Sequence, residues 1–249
     1  MKTLLIILLS VTSLLAQTRK KQTTEYVTLK TYVRNGVLEK PFKIGYLAYL
    51  PDEYYSDTTK LPLVISCHGN GEKGTLTPDL LRKSFLPNRL DAGLNIPFIV
   101  ISPQTNGYKP SWTNPKLFRE LLDSAIIKYK GRIDTTQIYL VGYSGGGEGV
   151  CTYAKSGLPF QGIGTFSFVN KLVTTETCVL NNKKVWGFHC VDDGTVGVGT
   201  TKTLIINIMK CDPTAKPKTT YYPTGGHNSW TRGLANDTLF RYFKNGSLR

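Results

Sequence analysis

Three short apolar runs constrain this chain most: LPLVIS (Leu61 to Ser66), PFIVIS (Pro97 to Ser102) and QIYLVG (Gln137 to Gly142). Each is almost continuously apolar, the pattern of strands covered on both faces. Between them lie TPDLLRKSFLPNRLDAG and NPKLFRELLDSAIIKYKG, whose apolar positions recur near helical spacing and whose ends carry Pro or Gly. Strands alternating with helices predict an α/β chain with a mostly parallel central sheet flanked by helices. The alternation continues through FQGIGTFSF, VWGFH, a helical TTKTLIINIMK, the extended KPKTTYY and a terminal helix near LANDTLFRYFKN. Ahead of it, EYVTLKTYV and FKIGYLAYL are rich in β-branched and aromatic residues and read as a hairpin turning at Asn35-Gly36. The interval from Val169 to Lys184, between FSF and VWGFH, is too short for a large cap domain and predicts an open site.

The chain opens MKTLLIILLSVTSLLAQ, one lysine followed by an uncharged apolar run and a small residue at Ala16. That is the layout of a secretory signal peptide, so residues 1–16 are expected to be a leader and residues 17–249 one α/β domain, secreted or periplasmic. A stable membrane anchor is not expected, because a transmembrane helix needs roughly 20 apolar residues and this run gives way to polar TRKKQTT. The formal net charge of +14 falls only to +13 without Lys2, a balance that favours acidic partners such as anionic polysaccharide or a membrane surface. No dense Lys/Arg block follows RKK at 19–21, so a solvated basic surface is the simpler reading, and no motif supports nucleic acid as a partner. Five cysteines, Cys67, Cys151, Cys178, Cys190 and Cys211, leave at least one unpaired within a monomer, and sequence does not choose a pair. No CxxC or close His/Cys cluster has zinc-like spacing, so neither metal nor other cofactor is expected, and the oligomeric state is left open.

After QIYLV comes GYSGGGEG, in which Gly142-Tyr-Ser144-Gly-Gly146 matches G-x-S-x-G between a buried strand and a plausible helix, EGVCTYAKSG. In such an elbow the serine occupies a strained turn, and small residues keep side chains off neighbouring backbone. A serine hydroxyl is a weak nucleophile until a base takes its proton. His227, in the glycine-bearing loop TGGHNSW ahead of the terminal helix, is the expected base. The acid should leave an earlier strand, and VWGFHCVDDGTV offers Asp193, with Asp192 as the alternative. An oxyanion needs preorganised donors. Gly145 N–H is the first candidate, and Asn70 or Gly71 in SCHGNGEKG the second. His68 reads as holding that loop in shape, and His189 as marking a strand-to-loop exit. Trp230 and Trp112 are candidate substrate walls, each with loop packing as the competing reading. Glu148 reads as a surface or supporting residue, and Cys151 as packed on the sheet. Gly69-x-Gly71-x-x-Gly74 also fits a dinucleotide fingerprint, but the following strand ends in Ser102-Pro103-Gln104 with no acid for a ribose, which argues against nucleotide binding.

In order along the chain, HGNGEKG, SPQTNGYKPSW, RIDTTQIYLVGYSGGGEG, VWGFHCVDD and GGHNSW resemble secreted bacterial α/β-hydrolases grouped with feruloyl and acetylxylan esterases, polyhydroxybutyrate-depolymerase-like proteins and predicted peptidases or phospholipases. The resemblance spans most of the mature chain. It implies an α/β-hydrolase fold without a large cap and a serine esterase with the triad order Ser144, Asp193, His227. It also implies an ester substrate, with a carbohydrate-linked acetyl or feruloyl ester as the expected class. The alternatives are a serine peptidase or phospholipase, or a non-catalytic carbohydrate-binding module. The chain departs from the group at Gly145, where relatives commonly carry methionine, at Cys190, where they commonly carry glycine, and in FSFVNKLVTTETC, where they commonly carry a small-residue segment.

Overall fold

The computed structural model describes residues 22–29, 32–34, 37–39, 41–74, 78–105, 111–129 and 131–246. The expected leader and the Asn35-Gly36 turn lie outside them. The strands are β1 (Gln22–Leu29), β2 (Tyr32–Arg34), β3 (Val37–Glu39), β4 (Phe42–Tyr49), β5 (Leu61–Cys67), β6 (Ile99–Pro103), β7 (Ile133–Tyr143), β8 (Gly162–Phe166), β9 (Lys184–Cys190) and β10 (Lys218–Tyr222). The helices are α1 (Glu53–Ser56), α2 (Phe85–Asp91), α3 (Pro115–Lys128), α4 (Gly146–Lys155), α5 (Gly199–Cys211), α6 (Trp230–Gly233) and α7 (Thr238–Asn245). Eight strands form one sheet in the order β1-β4-β6-β5-β7-β8-β9-β10. The β1/β4 and β4/β6 pairs are antiparallel and the rest parallel. The early strands do make a hairpin, but EYVTLKTYV is divided: β1 pairs with β4, and β2 with β3 forms a separate small ladder.

The apolar runs are buried because each inner strand feeds both faces of the sheet. Leu63 and Ile65 of β5 enter one core with Phe118 of α3 and Val150 of α4, while Val64 enters the other with Phe98, Phe240 and Phe243. Each such side chain contributes about 1.5–3 kcal/mol on leaving water. The expected helix over 77–93 is broken into a 3-10 segment, Pro78–Lys83, and α2. Pro87 explains the break: a continuous helix would set its ring against the carbonyl of Lys83, so the helix restarts with Pro87 in its first turn. Asn114 caps α3 by accepting from Lys116 N, and Pro115 opens it.

The connection from β5 runs to β6 on one side, and the next, from β6, crosses over to β7 on the other side of β5. Such a switch point opens a crevice at the C-terminal strand ends. The registers Cys67↔Gly142, Tyr143↔Phe166, Phe166↔Phe188 and Tyr222↔Cys190 align five strand exits along that one edge. Among the described residues, no helix is long and apolar enough to cross a membrane.

Candidate active site

Ser144 follows β7 at φ +52°. Three backbone bonds hold this strained turn: Ser144 N donates to Phe166 O at 3.1 Å, and Ser144 O accepts from Gly147 N at 3.0 Å and Val169 N at 2.9 Å. Glycine is required beside it by close approach. A Cβ on Gly142 would lie 2.6 Å from Val150 Cγ2 and 2.9 Å from Gly146 O, and one on Gly146 would collide with the Cys67 carbonyl. The serine is thereby fixed at the head of α4, whose first N–H groups have no partner inside the helix.

The structure brings Ser144, His227 and Asp193 together. His227 Nε2 lies 2.7 Å from Ser144 Oγ, and its Nδ1 lies 2.8 and 3.1 Å from the two oxygens of Asp193. A carboxylate can only accept from the ring, so Nδ1 carries the proton and Nε2 is left to accept the serine hydroxyl. The Asp193 carboxylate is fully buried. Burial opposes its charge, but the N–H groups of Val196 and Thr195, the His227 ring and the Ser167 hydroxyl outweigh that and hold its carboxyl below the usual range. Asp192 does not touch the imidazole. It accepts Gly225 N and Gly226 N instead, tying down the loop that carries His227. Cys190 packs beneath that loop, its Sγ where a Cβ on Gly225 would be only 2.8 Å away.

His189 is buried against the same carboxylate. Its Nε2 donates to Val196 O at 2.7 Å and lies 3.3 Å from Asp193 Oδ2, while Nδ1 accepts from Thr201 Oγ1 at 2.8 Å. Burial lowers its pKa, so the ring is neutral and helps hold the turn whose N–H groups reach Asp193. Ser167, at φ +44°, donates its hydroxyl to Ser229 Oγ at 3.1 Å and sits near enough to Asp193 to help lower its carboxyl. No sequence signal marks Ser167, because only the strand register brings it to Asp193.

Gly145 and Asn70 are neighbours, for a Cβ on Gly145 would strike the Asn70 carboxamide. Asn70 opens a 3-10 turn, Asn70–Glu72, while Gly71 faces open space. Behind this loop His68 is fixed in its neutral form: Nδ1 donates to Gly69 O at 2.6 Å, and Nε2 accepts Thr105 N at 3.0 Å. Burial lowers its pKa to about 4.

Trp230 is half-buried near the site. Its ring centroid is 6.4 Å from that of Tyr143, edge to face, and the Tyr143 ring is 5.2 Å from that of His227. Trp112 does not line the site, contrary to expectation. It is 3% exposed, stacks on Phe118 at 5.9 Å and donates its indole N–H to His68 O, so no ring face is left for a substrate. Cys178 and Cys211 form a disulfide, and Cys67, Cys151 and Cys190 are buried free thiols. Among the described residues, no cluster of His, Cys, Asp or Glu could hold a metal ion.

No protein-family model matches the chain, and no curated protein matches it in sequence. Solved structures do match in fold. A thermostable esterase aligns with TM-score 0.62 at 22% identity, over 89% of this chain and 62% of the esterase. The Pyrococcus horikoshii acylaminoacyl peptidase aligns with TM-score 0.62 at 10% identity, over 93% of this chain and 43% of the peptidase. A ferulic acid esterase aligns with TM-score 0.59 at 16% identity, over 87% of this chain and 95% of that one. The chain has the α/β-hydrolase fold. It spans less than two thirds of the length of the first two proteins, and nearly all of the third. On this α/β-hydrolase sheet the short segment between β8 and β9 carries only a 3-10 turn, Glu176–Leu180, and no large cap.

Proposed function

We propose that this chain is an exported serine hydrolase that cleaves carboxylic esters through an acyl-enzyme, with a carbohydrate-linked acyl ester as its substrate. The observation that carries the reading is the continuous hydrogen-bonded order Ser144 Oγ, His227, Asp193 at 2.7 and 2.8 Å. In the reaction, Ser144 Oγ attacks the ester carbonyl as its proton passes to His227 Nε2. Asp193 orients the ring and stabilises the imidazolium. Backbone N–H groups at Gly145 and the Asn70 turn receive the oxyanion, and the head of α4 adds a favourable dipole. His227 then protonates the departing alcohol, and water, deprotonated by the same ring, releases the acid. Support for the ester and for its carbohydrate link comes from the likeness to esterases, one of them a ferulic acid esterase, and from the absence of a large cap. The export reading draws on the apolar leader, with cleavage after Ala16, and on the Cys178–Cys211 disulfide, which suits an oxidising compartment.

The likeness to an acylaminoacyl peptidase makes peptide cleavage the second reading. Intact mass after fluorophosphonate treatment, on wild type and Ser144→Ala, tests the nucleophile. One adduct, mapped to Ser144 and absent from the variant, is expected. Folded wild type without an adduct would overturn the reading. Turnover of acetyl and feruloyl esters against peptide amides then separates esterase from peptidase.

A further inference from the structure

Beside the elbow helix α4 runs a cleft of about 560 Å³, with Thr113 and Pro115 on one side, Glu148, Thr152 and Lys155 on the other, and Lys171 at its edge. A second cleft of about 210 Å³ shares Pro115 and Ser156 with the first and adds Lys116 and Arg119. Together they make one groove between α3 and α4. Its charges are unbalanced: Lys116, Arg119, Lys155 and Lys171 face a single carboxylate, Glu148. Lys155 pairs at 3.1 Å with Glu176, outside the groove, and among the described residues Lys116, Arg119 and Lys171 are in no ion pair. Lys116, Arg119 and Lys171, gathered without a paired counter-charge, repel one another, and an anionic ligand relieves that repulsion.

The groove starts close to the nucleophile. Gly146 opens α4 two residues after Ser144, Glu148 lies in its first turn, and Lys155 ends it. At 1.5 Å per residue that helix carries the groove about 15 Å from the elbow. The lining also selects among polyanions. It holds the hydroxyls of Thr113 and Thr152, which suit sugar hydroxyls, and no aromatic ring on which a nucleic-acid base could stack. Arg119 offers the planar fork that pairs with a carboxylate.

We infer that this groove binds a uronate-bearing polysaccharide and leads its ester to Ser144. The inference rests on the esterase reading for what the polymer delivers, and on the groove's charge for what binds. The test compares wild type with Lys116→Gln/Arg119→Gln/Lys171→Gln, three exposed positions outside the catalytic residues, and with Lys171→Glu alone. Binding of polygalacturonate, neutral arabinoxylan and single-stranded DNA is measured at low and high salt. Turnover is measured on O-acetylated polygalacturonate and on p-nitrophenyl acetate. Wild type is expected to bind polygalacturonate in preference to the other two polymers, more weakly as salt rises. The triple variant is expected to lose about tenfold or more in that affinity and in kcat/KM on the acetylated polymer, with p-nitrophenyl acetate turnover unchanged. Lys171→Glu should lose part of both. Equal polygalacturonate binding by wild type and both variants overturns the inference, as does DNA bound as tightly as polygalacturonate. Absence of p-nitrophenyl acetate turnover in wild type would count against the esterase reading alone, since polygalacturonate binding still decides the groove.

Discussion

Asp192 accepts the backbone N–H of Gly226 at 2.8 Å, one residue before the imidazole that its neighbour Asp193 engages at 2.8 Å. Two adjacent carboxylates thus hold one loop at different points, one through its backbone and one through its working side chain. Asp193→Asn, which disturbs the tautomer of His227, is expected to lower kcat on a p-nitrophenyl ester by about 10⁴-fold. Asp192→Asn leaves the ring its partner and only loosens the loop. Because Asp192 is exposed, its loss is expected to be about tenfold or less. Equal losses in the two variants would refute this division of roles.

Gly145 and Gly146 are adjacent glycines kept for different reasons. A Cβ at 145 meets the Asn70 carboxamide, which can swing away, whereas one at 146 meets the Cys67 and His68 carbonyls, which cannot. Gly145→Ala should therefore keep a near-wild-type melting temperature and lose activity through the displaced Asn70 turn. In an Asn70→Ala background the same change should add little, a non-additivity that a double-mutant cycle reads directly. Gly146→Ala should cost about 1 to 3 kcal/mol or more in thermal unfolding, as overpacking against backbone does. The Asn70 carboxamide also gives a steric reason for Gly145 where the resembled group commonly carries methionine.

Ser144 and Asp193 are legible in sequence because each follows a strand with a buried apolar run, and His227 because it follows the extended KTTYY ahead of the last helix; parallel strands deliver all three exits to one edge. The choice of Asp193 over Asp192 becomes visible only in three dimensions, since it depends on which carboxylate faces the ring. Trp112 misleads for a different reason. Its loop is polar, but Phe118 and His68, one on the next helix and one 44 residues away, close over its ring. Ser167 carries no signal because its contact with Asp193 follows from the pairing of Phe166 with Phe188. Pro87 was in plain view, and its conflict with a helix through Lys83 accounts for the divided segment after β5.

His68 predicts an acid-sensitive loop. Its pKa is lowered by burial from 6.5 to about 4, so the unfolded chain binds its proton first as pH falls. Its contribution is complete above about pH 6.5 and is lost toward about pH 4, an effect of roughly 3 kcal/mol. His189 is shifted the same way and adds to the slope. The lowered carboxyl of Asp193 acts only further down, below its ordinary range. Urea midpoints taken between pH 7.5 and 4 should fall through this window, and His68→Gln should flatten the fall. An unchanged slope in the variant would place the acid-sensitive group elsewhere.

The Cys178–Cys211 disulfide joins the 3-10 turn after β8 to the last residue of α5, across 33 positions of sequence. Closing a loop of that length restricts the unfolded chain by about 2 to 4 kcal/mol. For a domain of this size, Cys178→Ser/Cys211→Ser should melt roughly 5 to 15 °C lower. Neither cysteine touches the Ser144, His227 and Asp193 cluster, so kcat well below the melting temperature should stay near wild type. A melting temperature that ignores both the substitution and added reductant would remove the bridge as a source of stability.

Trp112 and Trp230 predict opposite phenotypes. Trp112 fills space between α3, His68 and the Gly149 face of α4, where its ring atoms come within 3.0 Å of a would-be Cβ. Trp112→Ala should cost about 3 to 5 kcal/mol in denaturant unfolding. Its protein that remains folded should show a KM for a small ester close to wild type. Trp230 is half-buried beside Tyr143, whose ring leans on His227. Trp230→Ala should cost less than about 1.5 kcal/mol, but shift KM more for bulky aromatic acyl esters than for acetyl esters, because it removes an apolar wall rather than a proton carrier. The ratio of the two effects is the discriminating readout. A Trp112 variant that unfolds normally but loses binding would return that residue to the substrate site, against the stacking seen with Phe118.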